Sequence, residues 1–281
     1  MNPYIVSADI RKEKICFVTS DSVWMMDYGR FEAYRLFGTL GEITDARLSP
    51  DMKTVYFRVA YSEAAYHADI FSIHLDSGQV ERLTYLSGYS VSRRPFTQMA
   101  GFTPEGDPII STNALLPFSN VSHLYRVRDG GKSIEDMKIG IGSHIFYDEN
   151  GGMVIGRNTL DMIHWKGYKG GTKGVIWRGN LKDGFKKIID MEGNVTSPAI
   201  SGKRIYFILD EGNSGNIYST DLNGEDLRKE TDFKDKYARS LSGDGSHLIF
   251  IVDGDIHIFD LDSRKILKPE IKWLSPAFYR R

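Results

Sequence analysis

At 281 residues the chain is long enough to bury a large core, and its hydrophobic and charged fractions, 41% and 26%, are those of an ordinary globular protein. Its 36 basic and 37 acidic residues leave a net charge of −1, which excludes a broad basic field for nucleic acid and requires any anion site to be local. One cysteine, Cys16 in the apolar run "ICFV", excludes an internal disulfide and a cysteine-based zinc site, and it reads as a small buried hydrophobe.

The first residues, "MNPYIVSADIRKEK", carry no basic segment followed by a long apolar one, and no window approaches 18 apolar residues. A soluble cytoplasmic protein without membrane contact is expected. Along the chain, apolar residues come in short alternating runs bounded by Gly, Asp, Asn and Pro. "ICFVTS", "TVYFRVA", "DIFSIHL", "RIYFILD", "HLIFIVD" and "DIHIFDL" are examples, all with the period-two pattern of β-strands.

The strands group into a repeat. One element is a strand, a turn built on Asp, Gly or Asn, and a second strand. It occurs as "SVWMMDYGRFEAYRLF", "DIFSIHLDSGQVERLT", "HLYRVRDGGKSIEDM", "VIWRGNLKDGFKKII", "NIYSTDLNGEDLRKET" and "DIHIFDLDSRKILKP". Another hairpin precedes each, clearest in "ARLSPDMKTVYFRV", "AGFTPEGDPIIST", "PAISGKRIYFIL" and "RSLSGDGSHLIFIV". Two hairpins every 40–50 residues or so is the spacing of four-stranded propeller blades. The fold class is therefore all-β, a six-bladed β-propeller of four-stranded antiparallel blades in one domain, 1–281. The blades run roughly over 3–38, 42–87, 89–140, 141–192, 194–234 and 236–273. A two-sheet sandwich is the alternative, but it predicts no regular unit. The tail "KWLSPAFYRR" reads as the start of a connection or as a terminal strand packing on the ring.

Chemistry-bearing motifs are sparse. No G-x-S-x-G serine turn is present, and none of the seven histidines forms H-E-x-x-H, so neither a hydrolase triad nor a local metal site is supported; no cofactor is expected. Carboxylates fall mostly in hairpin turns such as "LDSG" and "SGDGS", where Asx bonding explains them. The insert "HWKGYKGGTKG" fails the order of a phosphate loop. Two readings stay open for it: a long hairpin loop packing Trp165 and Tyr168 on neighbouring blades, or a binding loop around His164, Trp165, Lys166, Tyr168, Lys169 and Lys173.

"YSVSRRPF" places Arg93 and Arg94 where the innermost strand of the third blade begins, near a channel mouth. Adjacent side chains diverge on a strand, but in a loop both guanidinium forks can point one way, toward a carboxylate or phosphate. A solvated or salt-bridged charge pair is the other reading.

"LGEITDARLSPDMKTVYFRV", "SGYSVSRRPFTQMAGFTPEGDPIIST", "VIGRNTLDMIHWKGYKGGTKGVIW" and "RIYFILDEGNSGNIYSTDLNGEDLRKET" resemble the N-terminal six-bladed propeller of the tricorn protease family, from about Asp9 to Ser275. The "SPD" turn has a broader, less specific likeness to TolB-type propeller repeats. The resemblance implies a non-catalytic propeller of a cytoplasmic serine peptidase, gating the passage of oligopeptides. Its basic pair, which maps onto Arg93 and Arg94, would anchor a peptide's C-terminal carboxylate, with Pro95 a departure from the family pattern. The remaining tricorn domains or an aminopeptidase are the implied partners, and self-association is compatible with it. A free-standing protein-docking scaffold is the alternative function.

Overall fold

The structure, a computed structural model, describes residues 3–61, 67–86, 94–161 and 166–274. The alternating runs form six four-stranded antiparallel sheets, each following the chain outward from its first strand. Blade 1 holds β1 (Ile5–Arg11), β2 (Lys14–Thr19), β3 (Ser22–Asp27) and β4 (Glu32–Gly38), and blade 2 holds β5 (Glu42–Leu48), β6 (Thr54–Ala60), β7 (Ala68–His74) and β8 (Val80–Arg82). Blade 3 is β9 (Thr97–Phe102), β10 (Pro108–Thr112), β11 (His123–Arg128) and β12 (Ser133–Ile141). Blade 4 is β13 (His144–Tyr147), β14 (Met153–Arg157), β15 (Val175–Asn180) and β16 (Gly184–Ile189). Blade 5 is β17 (Asn194–Ser201), β18 (Arg204–Asp210), β19 (Gly215–Asp221) and β20 (Arg228–Lys229). Blade 6 is β21 (Arg239–Gly243), β22 (His247–Val252), β23 (Asp255–Asp260) and β24 (Lys265–Leu267). The expected propeller is the observed fold.

A single blade cannot cover its own two faces, so the core is distributed between blades. Six apolar clusters fill the six interfaces, and the one between blades 6 and 1 closes the ring by packing Ile10, Phe17 and Met26 against Ile249, Ile251 and Ile258. Cys16 is fully buried among them, and burial, with the Asp9 carboxylate adding to it, pushes its thiol pKa well up, so it is an inert packing group.

The chain end contributes to closure. A short β25 (Lys272–Trp273) runs parallel to β4 and makes blade 1 five-stranded, so the described start of the tail is a strand on the ring. Trp273 stacks edge-on against Trp24 and Phe17, with ring centroids 4.8 and 5.7 Å away.

The innermost and middle strands differ in regularity. Every pairing of a second with a third strand keeps continuous register. The first strand meets the second through a bulge or register shift in every blade except blade 4. Bulges bend a strand and re-aim its side chains, here around the central channel. Close approach is visible at Gly101 on β9, where any Cβ would collide with the Ile145 carbonyl of the next blade.

Candidate functional site

Because neighbouring strands alternate direction, all connections from second to third strands, and from a fourth strand to the next blade, emerge on one face, here called near. The remaining hairpins emerge on the far face and are tight. In one, Ser49 Oγ accepts from Thr54 N at 3.0 Å and donates to Asp51; in another, Asp148 Oδ1 accepts from Gly152 N at 2.8 Å. The long connections 83–96, 113–122 and 158–174 all belong to the near face. Topology therefore places Arg94 and the described part of the glycine-rich insert on the same side of the ring.

Arg93 lies outside the described residues; Arg94 is exposed in the connection leading into β9. Its backbone is held by Asn113, buried directly after β10. Asn113 Nδ2 donates to the carbonyls of Arg94 (3.0 Å) and Ser119 (2.8 Å), while its Oδ1 accepts from Phe96 N (2.6 Å). Pro95 is buried between the two anchored residues. One amide thus ties the arginine segment to the neighbouring loop.

Behind this segment sits a second cation. Arg58 on β6 is buried, donates from Nε to the Thr97 carbonyl at 2.6 Å and from Nη1 to Thr44 Oγ1 at 2.7 Å, and lies 4.9 Å over the Phe96 ring. Burial lowers its pKa to about 10, with Asp45 and Glu42 pulling the other way, so it remains charged at neutral pH.

His164 and Trp165 lie outside the described residues. The described part of the insert leans across blade 5 to blade 6. Asp161 accepts from Arg239 Nε at 2.9 Å at the start of β21, Lys166 Nζ lies 4.1 Å over the Tyr237 ring, and Gly167 N donates to Asp210. Lys169 pairs with Glu192 at 3.0 Å and Lys173 with Asp190 at 2.9 Å, both acids on the connection between blades 4 and 5. Tyr168 Oη meets Thr172 Oγ1 at 2.7 Å. The positive charges at 169 and 173 are thus matched by the protein's own carboxylates.

The six innermost strands enclose a cavity of about 350 Å³ on the ring axis. Sequence reasoning passed over its polar lining. Asp9 joins three blades: Oδ2 accepts from Leu48 N of blade 2 at 2.8 Å, Oδ1 accepts from the Ser242 hydroxyl of blade 6, and Arg47 Nη1 stands 3.8 Å away. Arg47 also faces Asp45 at 3.4 Å. Burial raises the Asp45 pKa, and Arg47 opposes that rise.

His144 lines the cavity and is enclosed by the ring, so burial, helped by the Arg47 charge, lowers its pKa to about 3. Its Nδ1 meets Thr159 Oγ1 at 2.8 Å, but so weak a base cannot activate a hydroxyl at neutral pH. Among the described residues no group of three or more potential metal ligands occurs. The arrangement is suited to holding anions and polar chain ends. A signal for these residues existed: "SADIR" and "TDAR" put Ser7, Asp9, Arg11 and Asp45, Arg47 at alternate positions of otherwise apolar strands.

The family model for the tricorn protease N-terminal beta propeller domain matches residues 2–265. The tricorn protease of Thermoplasma acidophilum is 44% identical over 267 residues, covering 95% of this chain and 25% of that protein. The crystal structure of the tricorn protease superposes with a TM-score of 0.91 at 43% identity, covering 98% of this chain and 27% of that one. TolB from Acinetobacter baumannii, at 18% identity, covers 78% of this chain and 52% of its own with a TM-score of 0.56, and shares the fold alone. The chain spans about a quarter of the length of its tricorn relatives, and the rest of those proteins has no counterpart in it. The chain belongs to the tricorn protease N-terminal β-propeller family.

Proposed function

We propose that this propeller is the non-catalytic, peptide-handling part of a tricorn-type peptidase: oligopeptides bind at its near mouth, where Arg93 and Arg94 receive the C-terminal carboxylate. The observation that carries this reading is the Asn113 clamp, which holds the exposed Arg94 on a segment fixed by two hydrogen bonds, with a third tying Asn113 to Ser119. A segment whose backbone is already fixed loses less freedom on binding, and the planar guanidinium fork suits a carboxylate. Arg58 beneath Phe96 adds positive potential to the same mouth. The insert 158–174, pinned to β21 through Asp161 and Arg239, is the gate that limits access to the ring. The remaining tricorn domains and an aminopeptidase are the partners, and the compartment is the cytoplasm; no helix among the described residues is long and apolar enough to cross a membrane.

The test compares a fluorescent oligopeptide with its C-terminal amide on the wild-type chain and on Arg94→Ala and Arg93→Ala. A charge-assisted bidentate bond contributes roughly 1.5–3 kcal/mol, so the free acid is expected to bind about tenfold to hundredfold more tightly, and the variants to erase that preference. Equal binding of acid and amide to the wild type overturns the anchor.

A second reading, protein docking, draws on the exposed Leu40, Tyr61, Tyr85, Leu115, Phe118 and Leu160, all on near-face connections. Recovery of the same partner by the wild type and by a variant with Tyr85 and Phe118 changed to Ser rules it out.

A further inference from the structure

Arg11, the last residue of β1, lines the far half of the central cavity. Its Nε is buried and meets no hydrogen-bond partner, and among the described residues no carboxylate pairs with its guanidinium. The nearby acids are already engaged. Asp9 is shared by Leu48 N, Ser242 and Arg47, and Asp45 faces Arg47. Arg47 is thus a neutralised cation, whereas Arg11 keeps an uncompensated charge and a desolvated donor. The Phe102 ring lies 5.9 Å from its guanidinium carbon. Arg11 is half-buried, and its guanidinium, lining the cavity with no carboxylate partner among the described residues, is available to an anion.

We propose that Arg11 is a second carboxylate site, at the far end of the channel, which takes the C-terminal carboxylate of a short peptide. The proposal rests on the reading of the ring as a peptide conduit. Around Arg11 the wall is apolar: Met99, Phe102, Phe146, Tyr147 and Pro104 line the same cavity. A carboxylate on the Arg11 Nη groups places the adjacent peptide side chain against that wall. His144, held neutral, neither repels nor replaces the arginine. The cavity of about 350 Å³ falls at the small end of the range for small-molecule sites. β1 has seven residues, so its two ends stand about 20 Å apart, too far for one dipeptide to engage both mouths. The two carboxylate sites are therefore separate, and a peptide released at the near mouth meets a second anchor before leaving the ring.

The experiment titrates the dipeptide Ala-Phe and its C-terminal amide into the wild-type chain and into Arg94→Ala, Arg11→Gln and Arg11→Lys, following heat of binding and melting temperature. The expected result is a preference for the acid of roughly tenfold to hundredfold, as a charge-assisted hydrogen bond gives. That preference persists in Arg94→Ala, disappears in Arg11→Gln, and is partly kept in Arg11→Lys, which also serves if the glutamine variant does not fold. A preference lost in Arg94→Ala and kept in Arg11→Gln overturns this site and leaves the near-mouth anchor standing. No preference in any form overturns the far site for peptides of this length, while the longer fluorescent peptide still reports on Arg94. Acetate and inorganic phosphate supply the last arm: competition by either as effective as the dipeptide itself overturns peptide recognition and leaves a small-anion site.

Discussion

The middle strands and the innermost strands of this ring obey different rules. β18 and β22 pair in unbroken register with their outer neighbours and are largely apolar on both sides, because each is pressed between two other blades. β1, β5 and β21 are bulged and carry Asp9, Arg47 and Ser242, which are linked across neighbouring blades, Asp9 to Leu48, Arg47 and Ser242. In the middle strands, stability comes from area removed from water and has no direction. Along the axis it comes from hydrogen bonds and ion pairs with fixed geometry, and those same groups are available to a ligand.

The sharpest way to break this contrast is a matched pair of substitutions. Phe207→Ala empties a middle-strand position that is fully buried, and a cost of about 3–5 kcal/mol is expected from lost burial and the cavity left behind. Asp9→Ala is expected to cost less, about 1–3 kcal/mol, because it leaves the buried Leu48 amide unpaired while Arg47 keeps Asp45. Hydrogen exchange separates them: the Leu48 amide loses protection in Asp9→Ala and keeps it in Phe207→Ala under native conditions. Equal exchange at Leu48 in both removes the claim that Asp9 clasps the ring.

Acid sharpens the same comparison. The folded His144 pKa of about 3 lies below its ordinary 6.5. The unfolded chain therefore takes up a proton below pH 6.5 that the folded chain refuses. The stability linked to His144 is complete above pH 6.5 and is lost as pH falls toward 3, with a slope of at most about 1.4 kcal/mol per pH unit. Asp45, whose pKa is raised by burial, offsets part of that loss when it protonates. Urea unfolding at several pH values is expected to show a shallower acid slope for His144→Asn, and a proton titration should find His144 neutral at pH 5. An ordinary imidazole titration near 6.5 contradicts the enclosure of the axis.

Smaller effects belong to the near-face loops. Asn113→Ala is expected to cost about 1–3 kcal/mol by leaving buried backbone groups unpaired, and to speed proteolysis at Arg94 before global unfolding. Lys169→Ala, which breaks an exposed pair with Glu192, should change stability by less than about 0.5 kcal/mol. A chemical denaturation series measures both.

Much of the fold was legible because the middle strands announce themselves. "TVYFRV", "RIYFIL" and "HLIFIV" run apolar almost without a break, as strands covered on both faces do, and turns rich in Asp and Gly punctuate them. The closing strand β25 was ambiguous in the sequence, since two residues beside Trp273 carry no period and pair only with β4, remote in the chain. The site was legible in part. "SRRPF" stood out by composition, but its clamp, Asn113, is 17 and 19 residues further along and looks like any loop amide. Lys169 and Lys173 read as free positive charge because their partners, Glu192 and Asp190, become neighbours only when blade 4 meets the next connection. Arg11 and Asp9 looked like ordinary polar positions of an alternating strand. Their meaning depends on which edge of the blade faces the axis, and no local pattern encodes that.

The most direct measurement is photo-crosslinking of an oligopeptide carrying a photoreactive C-terminal residue with a free carboxylate, mapped on the chain by mass spectrometry. The account predicts adducts at the channel mouths, around Arg94 and Phe96 on the near face, suppressed by Arg94→Ala there and by excess unlabelled acid but not by its amide. Adducts confined to the outer strands, β4, β8, β12, β16, β20 and β24, and unaffected by either control, would contradict it.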